Sequence, residues 1–533
     1  MGRQTSDERG DCDKLHTYSE EEKTAFSQHI NYCLGNDPHL AHLLPLNTES
    51  TELFLKAEDG LILCKLINLA AKDTIDERCL NVKSSLNVYQ KTENINLALN
   101  AAKSIGCQVV NIGAADIMEG TPTLILGLVW QIIKIQLLSV VSLRSCPELV
   151  VLLQEGEELQ SFMKLPPETI LLRWFNYHLA KAGFAKMVTN FGPDVADSVA
   201  YGVLLHQLNP SLCPLTETTD PALKAREVIG YAAALRSQPF IKPRDICEGN
   251  KKLNLTFVAQ IFNACPGLTV PEEVRAQYDL STLEIDDVGD SREERVFRMW
   301  INSLCLDEVF VNDLFEDLRD GVIFLKIIDF LDPGIVPWKK VTTAHGMSKF
   351  KKVENTNLVV TLGKEMRFTL VNVGGVDIID GNKKIILAIT WQLLRRYTLQ
   401  VLSDLAASDG SAVMSEERVV LWANDKVAAL GKSRKIRNLK DKTTADSLFF
   451  MELIAAVEPR AVEWDLVTAG VSEEEKMLNA KFAISSARKL GACVFLTPED
   501  IVETNSKMLL TLIASIWTAE LEHSQALSHS GRC

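Results

Sequence analysis

The tetrad Asp-Ile-x-acid occurs four times, at Asp116-Ile117-Met118-Glu119, Asp245-Ile246-Cys247-Glu248, Asp377-Ile378-Ile379-Asp380 and Asp500-Ile501-Val502-Glu503. Each copy continues with Gly or Thr and then Thr or Asn, ending at Thr121, Asn250, Asn382 and Asn505. A local pattern that returns at intervals of roughly 125 residues marks a duplicated domain. The chain therefore reads as four copies of one unit, and its function should follow from duplication.

The copies are of two kinds. Asp59-Gly60 matches Asp320-Gly321, Glu93-Asn94 matches Glu354-Asn355, Asn111 matches Asn372, Asp116 matches Asp377 and Trp130 matches Trp391, every pair 261 positions apart. In the second and fourth copies Asp197-Ser198 matches Asp446-Ser447 and Pro210 matches Pro459 at an offset of 249, whereas Asp245 matches Asp500 at 255, so one insertion of six residues separates them. The residue 14 positions beyond the tetrad's Asp is Trp130, Ala259, Trp391 and Ala514 in turn. The order is A-B-A-B: a two-domain unit has been doubled.

At 533 residues the chain has the length of roughly three to five ordinary domains. Its 47% hydrophobic and 24% charged residues describe a soluble globular protein with enough apolar surface for real cores. A net charge of −14 argues against a general nucleic-acid binder, which needs a basic face to neutralise phosphates. The 12 cysteines include no Cys-x-x-Cys pair and read as reduced thiols of a cytosolic protein. The most membrane-like stretch, Leu124 to Leu143, carries Gln131, Lys134 and Gln136, and its counterpart carries Arg395-Arg396, so it reads as a buried core helix. The start Met1-Gly2-Arg3-Gln4-Thr5-Ser6 is a poor myristoylation signal, Gly531-Arg532-Cys533 is not a prenylation box, and no signal-peptide apolar run opens the chain.

The periodicity is helical. Val296, Trp300 and Leu304 recur on one face with Phe297 beside them, as do Leu171, Trp174, Phe175 and His178. Each unit therefore opens with an amphipathic helix. Three of these carry Trp-x-Asn, at Trp174-Asn176, Trp300-Asn302 and Trp422-Asn424, whereas the first has His29-Ile30-Asn31. Asp-Gly at 59 and 320 can cap and turn the chain into the apolar runs Leu61 to Ile67 and Val322 to Ile328, which read as central buried helices. The tetrads read as short connectors in which Asp accepts amide hydrogen bonds, Ile plugs the core and the next residue releases the chain into the final helix. Two acids three apart offer too few oxygens for a calcium or magnesium cage, so no metal site is expected.

Several runs resemble the fimbrin/plastin family. They are Ser19 to Lys23, Asp59 to Asn68, Thr74 to Arg78, Asn94 to Asn100 and Leu126 to Lys134 in the first copy, Lys252 to Leu255 in the second, Trp391 to Tyr397 in the third and Lys440 to Thr443 in the fourth. The resemblance covers all four copies, from about residue 18 to about residue 520. It implies an all-α fold of four calponin-homology domains, at 19–140, 165–265, 291–401 and 414–521, forming two tandem actin-binding domains between tails at 1–18 and 522–533. The implied activity is cross-linking of filamentous actin into tight bundles by a monomer in the cytoplasmic actin cytoskeleton, with no cofactor, no nucleic acid and no integral membrane segment. Two copies of a binding unit in one chain can engage two filaments without dimerising. The connector from about Ala264 to Asp290, with Pro266, Pro271 and a cluster of acids, is expected to be extended but short.

The resemblance also implies filament contacts on the first and last helices of each A-type domain and the first helix of each B-type domain. On the last helices these are Gln131, Lys134 and Ile135 in the first half and Gln392, Arg395 and Arg396 in the second, with Trp130 and Trp391 expected in the core. The basic run Lys432, Arg434, Lys435, Arg437, Lys440 and Lys442 could face acidic actin or form a solvated loop. Two departures stand out. The family's usual paired EF-hands have no counterpart in the roughly 18 residues before the first domain, where Asp7 to Asp13 lacks the loop and closing Glu, so direct calcium regulation is not expected. His29 stands where the sister domains place Trp and could loosen the first domain, alter its filament contact or leave a locally repacked core. The sequence holds no His-Glu-x-x-His, Gly-x-Ser-x-Gly or P-loop, which argues against an enzyme. The alternative reading is a calponin-homology scaffold for microtubules or a flagellar or cortical structure.

Overall fold

A computed structural model describes residues 18–272, 274, 292–344, 347–406 and 414–530. The segment around Asp7 to Asp13, the terminal Gly531 to Cys533 and most of the connector lie outside them. Among the described residues there is no strand. The first unit runs through an opening helix Glu20–Leu34, a central helix Leu61–Ala70, a long helix Val88–Ser104, a short helix Ala114–Met118 and a closing helix Pro122–Leu138. The same order recurs three times, with opening helices Pro167–Lys181, Arg292–Ser303 and Glu416–Ala429 and closing helices Lys251–Ala264, Lys383–Ala406 and Ser506–Ser530. The last closing helix continues into what the sequence suggests is a tail.

The expected central helices form, and each is started by the same device. The Asp59 carboxylate accepts the Leu61 amide at 2.9 Å, and Asp197, Asp320 and Asp446 do the same two residues on at 3.0, 2.9 and 2.9 Å. The residue between is left-handed in all four, Gly60 and Gly321 in the A copies and Ser198 and Ser447 in the B copies. A Cβ on Gly60 would lie 2.8 Å from the Ile95 amide, so glycine is required there. The helices that follow are buried along half or more of their length, with Leu61, Ile62, Leu63, Cys64, Leu66 and Ile67 all at 0% exposure in the first.

The short connectors formed by the tetrads are themselves single turns of helix. Each Asp sits at the third helical position and accepts the amide three residues back, from Gly113, Lys242, Gly374 and Thr497 at 2.7, 2.7, 2.8 and 3.0 Å. The following Ile117, Ile246, Ile378 and Ile501 are all fully buried. The chain leaves through Gly120, Gly249, Gly381 and Thr504, every one at positive φ, into the closing helix. The carboxylate thus satisfies an amide that the helix start would leave unpaired.

The asparagine of Trp-x-Asn clamps a loop. Its carboxamide donates to and accepts from one loop residue's backbone, joining Asn31 to Leu46, Asn176 to Val188, Asn302 to Val311 and Asn424 to Ile436 at 2.7–2.9 Å. Trp174 and Trp300 are buried as expected. Trp174 Nε1 donates to Pro266 O at 2.7 Å and His178 Nε2 meets the same carbonyl at 3.0 Å. The start of the connector, at Pro266, is therefore held against the second unit.

Within each half the two units pack through the same contacts. Lys252 Nζ reaches Glu22 at 2.8 Å, and the equivalent Lys507 reaches Glu293 at 2.9 Å. His29 is buried at this junction, with Nε2 2.9 Å from Gln136 Oε1 and its ring edge-on to Phe240 of the second unit, centroids 5.5 Å apart. The Trp-to-His change is a local repacking that serves the interdomain contact. Burial holds the His29 imidazole below its ordinary value of 6.5, against a weaker opposing effect of the Gln136 hydrogen bond.

The halves also meet each other. The long helix Val88–Ser104 of the first unit packs on Glu473–Leu490, the long helix of the fourth. Arg488 lies at the centre, 5% exposed, donating to Thr74 O at 2.9 Å across the junction and to Val494 O at 3.0 Å within its own unit. Burial pulls its guanidinium down to about 10. Around it the Asp76 amide donates to Ser485 Oγ at 2.9 Å, Arg78 donates to Leu466 O and Leu478 O at 3.0 and 2.9 Å, and Lys489 faces Glu93 at 3.3 Å. The four units form a closed arrangement in which the first touches the last.

Two predictions follow from these junctions. Arg488→Ala leaves the Thr74 and Val494 carbonyls without their donor, a loss of about 1–3 kcal/mol; the expected outcome is a lower thermal midpoint and, by small-angle scattering, a larger radius of gyration. An unchanged radius would show that the junction does not depend on this contact. The neutral His29 ring contributes stability that is fully present above pH about 6.5 and lost as pH falls through its lowered folded value. His29→Gln should therefore flatten the fall in thermal midpoint between pH about 7 and 5.5, whereas an unaltered slope would place the titration elsewhere.

Candidate functional surfaces

The candidate residues of the A-type domains fall on the closing helices Pro122–Leu138 and Lys383–Ala406. Gln131 and Gln392 occupy equivalent positions and are engaged inside their own domains. The Gln131 carboxamide accepts the Gln108 amide at 2.7 Å and donates to Gln108 O at 3.0 Å, while Gln392 holds Thr369 in the same way at 2.6 and 3.1 Å. Each pins the loop after the long helix, so these side chains act first as structural clamps. Trp130 and Trp391 are half-buried rather than core residues. Trp130 stacks on Phe26 with centroids 5.8 Å apart, and Lys507 Nζ lies 5.8 Å from the Trp391 ring centroid.

Lys134 and Arg395 are matched latches between units. Lys134 pairs with Glu168 at the start of the second unit's opening helix, and Arg395 Nε pairs with Glu416 at the start of the fourth's at 2.5 Å. All four side chains are 35–45% exposed, so each pair contributes roughly 0–1 kcal/mol after solvent screening. They mark where the closing helix of one domain meets the opening helix of the next. Glu168 and Glu416 were missed in sequence. The signal is present, however, since they stand 248 positions apart, as do Trp174 and Trp422. Ile135 is half-buried against the core, and Arg396 is exposed.

The basic run of the fourth unit is an exposed loop with two of its cations already engaged. Arg434 faces Asp446 and Glu452, each at 3.3 Å, and Lys432 Nζ sits 5.2 Å from the Trp464 ring centroid. Lys435 and Arg437 are exposed beside the buried Ile436. The structure does not gather this loop with Arg395 and Arg396 into one cluster of contacts. Among the described residues, the junction between the halves is built from other side chains and carbonyls, those of Thr74, Asp76, Arg78, Glu93 and Arg488 among them.

Among the described residues no three His, Cys, Asp or Glu side chains are grouped to hold a metal ion. Burial pushes the Cys79 and Cys107 thiols up to about 12, so they stay protonated and unreactive. Among the described residues no helix is long and apolar enough to cross a membrane.

Comparison with known proteins assigns the repeats. The calponin homology (CH) domain family matches residues 20–137, 165–267, 291–399 and 414–521. Fimbrin-3 of Arabidopsis thaliana is 46% identical over 96% of this chain and 72% of its own length. Fimbrin of Saccharomyces cerevisiae is 44% identical over 94% of this chain and 79% of its own, and human plastin-3 is 44% identical over 94% and 80%. The crystal structure of the actin-crosslinking core of Schizosaccharomyces pombe fimbrin superposes with a TM-score of 0.81 at 40% identity, covering 94% of this chain and all of that one. With four CH domains in A-B-A-B order and relatives of this closeness along nearly its whole length, the chain belongs to the fimbrin/plastin family.

Proposed function

We propose that this chain is an actin-filament cross-linker, each half binding one filament, so that a monomer draws filaments into tight bundles. The observation that carries the reading is the doubling of one two-domain unit with its internal geometry intact: Lys134–Glu168 recurs as Arg395–Glu416, and Lys252–Glu22 as Lys507–Glu293. Two equivalent surfaces in one chain make the second attachment intramolecular, which raises avidity without a new contact. The solved relative named as an actin-crosslinking core supports actin as the target.

The role is structural, with no catalysis, and belongs to the actin cytoskeleton of the cytoplasm. The filament-facing surface of the first half includes Lys134 and Ile135 beside the Gln131 clamp. That of the second includes Arg395 and Arg396 beside Gln392, with the loop bearing Lys432, Arg434, Lys435 and Arg437. Bundling is proposed to be independent of calcium, which pelleting assays with calcium and with a chelator compare directly.

Sedimentation separates binding from bundling. The chain should co-pellet with filamentous actin at high speed and carry actin into the low-speed pellet; pelleting with microtubules but not with actin would overturn the reading. Lys134→Glu and Arg396→Glu, one in each half, should each reduce low-speed bundling by about tenfold while reducing high-speed binding less than about threefold, because the other half still attaches. Glu168→Gln removes the latch but keeps the Lys134 cation, and should leave both assays near wild type. Equal losses in the two assays would contradict bivalent attachment.

A further inference from the structure

A cleft of about 740 Å³ opens where the halves meet, walled by the segments 141–144 and 163–167 between the first two domains, by three elements of the third and by Thr497 of the fourth. Six basic side chains line it: Arg144, Lys164, Arg292, Arg295, Arg298 and Lys383. Such a concentration is unexpected in a chain of net charge −14. The two acids in the lining, Glu294 and Asp313, are already occupied. Asp313 caps the short helix that follows it, accepting the Phe315 amide at 2.9 Å, and pairs with Lys164 at 2.7 Å. Arg292 is neutralised from outside the cleft by Glu503 at 2.5 Å.

Arg298 is also already engaged, so that Arg144, Arg295 and Lys383 remain without a carboxylate partner among the described residues. Arg144 and Arg295 are exposed, and Lys383 has only the Phe315 ring, 5.1 Å from its ammonium. They approach from different walls, one from the segment after the first domain and two from the opening and closing helices of the third. Leu143, Met163, Leu165 and Leu387 supply apolar wall between them, which lowers the local dielectric and strengthens any ion pair formed there. Cations lining one concave space from different walls match ligands that carry several phosphates on a compact frame, since a guanidinium gives a phosphate a forked pair of hydrogen bonds and an ammonium a compact point charge. The volume falls within the usual range for small-molecule sites, about 300–1,000 Å³, and is too small for a nucleic-acid duplex.

We propose that this cleft binds a compact polyphosphate, of the chemistry shared by free inositol polyphosphates and phosphoinositide headgroups. A ligand seated there touches both halves of the chain and would hold them together, stabilising the closed arrangement by mass action.

The test measures binding of myo-inositol hexakisphosphate and of inorganic pyrophosphate to the full chain by calorimetry and thermal shift, at about 150 mM salt so that diffuse attraction is screened. Phosphatidylcholine vesicles with and without a phosphatidylinositol bisphosphate form the membrane arm. Arg144→Ala combined with Arg295→Ala alters only exposed side chains and should weaken inositol hexakisphosphate binding by about tenfold or more. Lys339→Ala with Lys340→Ala, exposed cations outside the cleft, should change it by less than about twofold. Binding of the soluble probes alone assigns the source as a free polyphosphate, and vesicle pelleting that the cleft variant loses assigns it as a headgroup; either supports the site. No binding by any probe, binding that survives in the cleft variant, or an equal loss in the Lys339/Lys340 variant would overturn it.

Discussion

Backbone groups in long non-helical segments must find partners once they are buried, and in this chain side-chain clamps meet that requirement in every domain. The opening-helix asparagines Asn31, Asn176, Asn302 and Asn424 each take both hydrogen bonds of one loop residue. The tetrad carboxylates Asp116, Asp245, Asp377 and Asp500 each take one amide at the start of a short helix. Gln131 and Gln392 add a third clamp on the closing helices of the A domains. Remove these and the loops lose the anchors that aim each closing helix at the next opening helix. Lys134 and Arg395 lie where the two helices meet.

Much of the fold was legible in sequence because these clamps are local and repeated. The tetrad and its spacing gave four domains and their alternation, and Asp59-Gly60 and Asp320-Gly321 marked the central helices that form. The helical turn within the tetrad is not legible, since a one-turn helix capped by its third residue and a non-helical connector place Asp, Ile and Gly at the same spacing. What stayed hidden is long-range. Arg488 is one arginine in a charged helix, and nothing nearby in the chain says that it meets Thr74 more than 400 positions away. Lys134 and Arg395 look like free cations in sequence because Glu168 and Glu416 sit in a different domain. Pro266 looks like linker, yet its carbonyl holds Trp174 and His178.

The residues proposed to face the filament rest on family resemblance. The geometry refines their roles: Gln131 and Gln392 are committed to loops, Lys134 and Arg395 to interdomain pairs, and Arg396, Lys435 and Arg437 are the exposed members. The junction between the halves uses other elements, chiefly the long helices around Arg488. A closed molecule therefore need not bury one candidate surface to form its central contact.

The central claim is that one chain carries two filament-binding halves. It is tested most directly by low-speed sedimentation of filamentous actin at chain concentrations where analytical ultracentrifugation shows only monomer. The account predicts that actin moves into the pellet under those conditions. If actin pellets only at concentrations where the chain self-associates, or stays in the supernatant while the chain co-pellets at high speed, a single half binds and the account is contradicted.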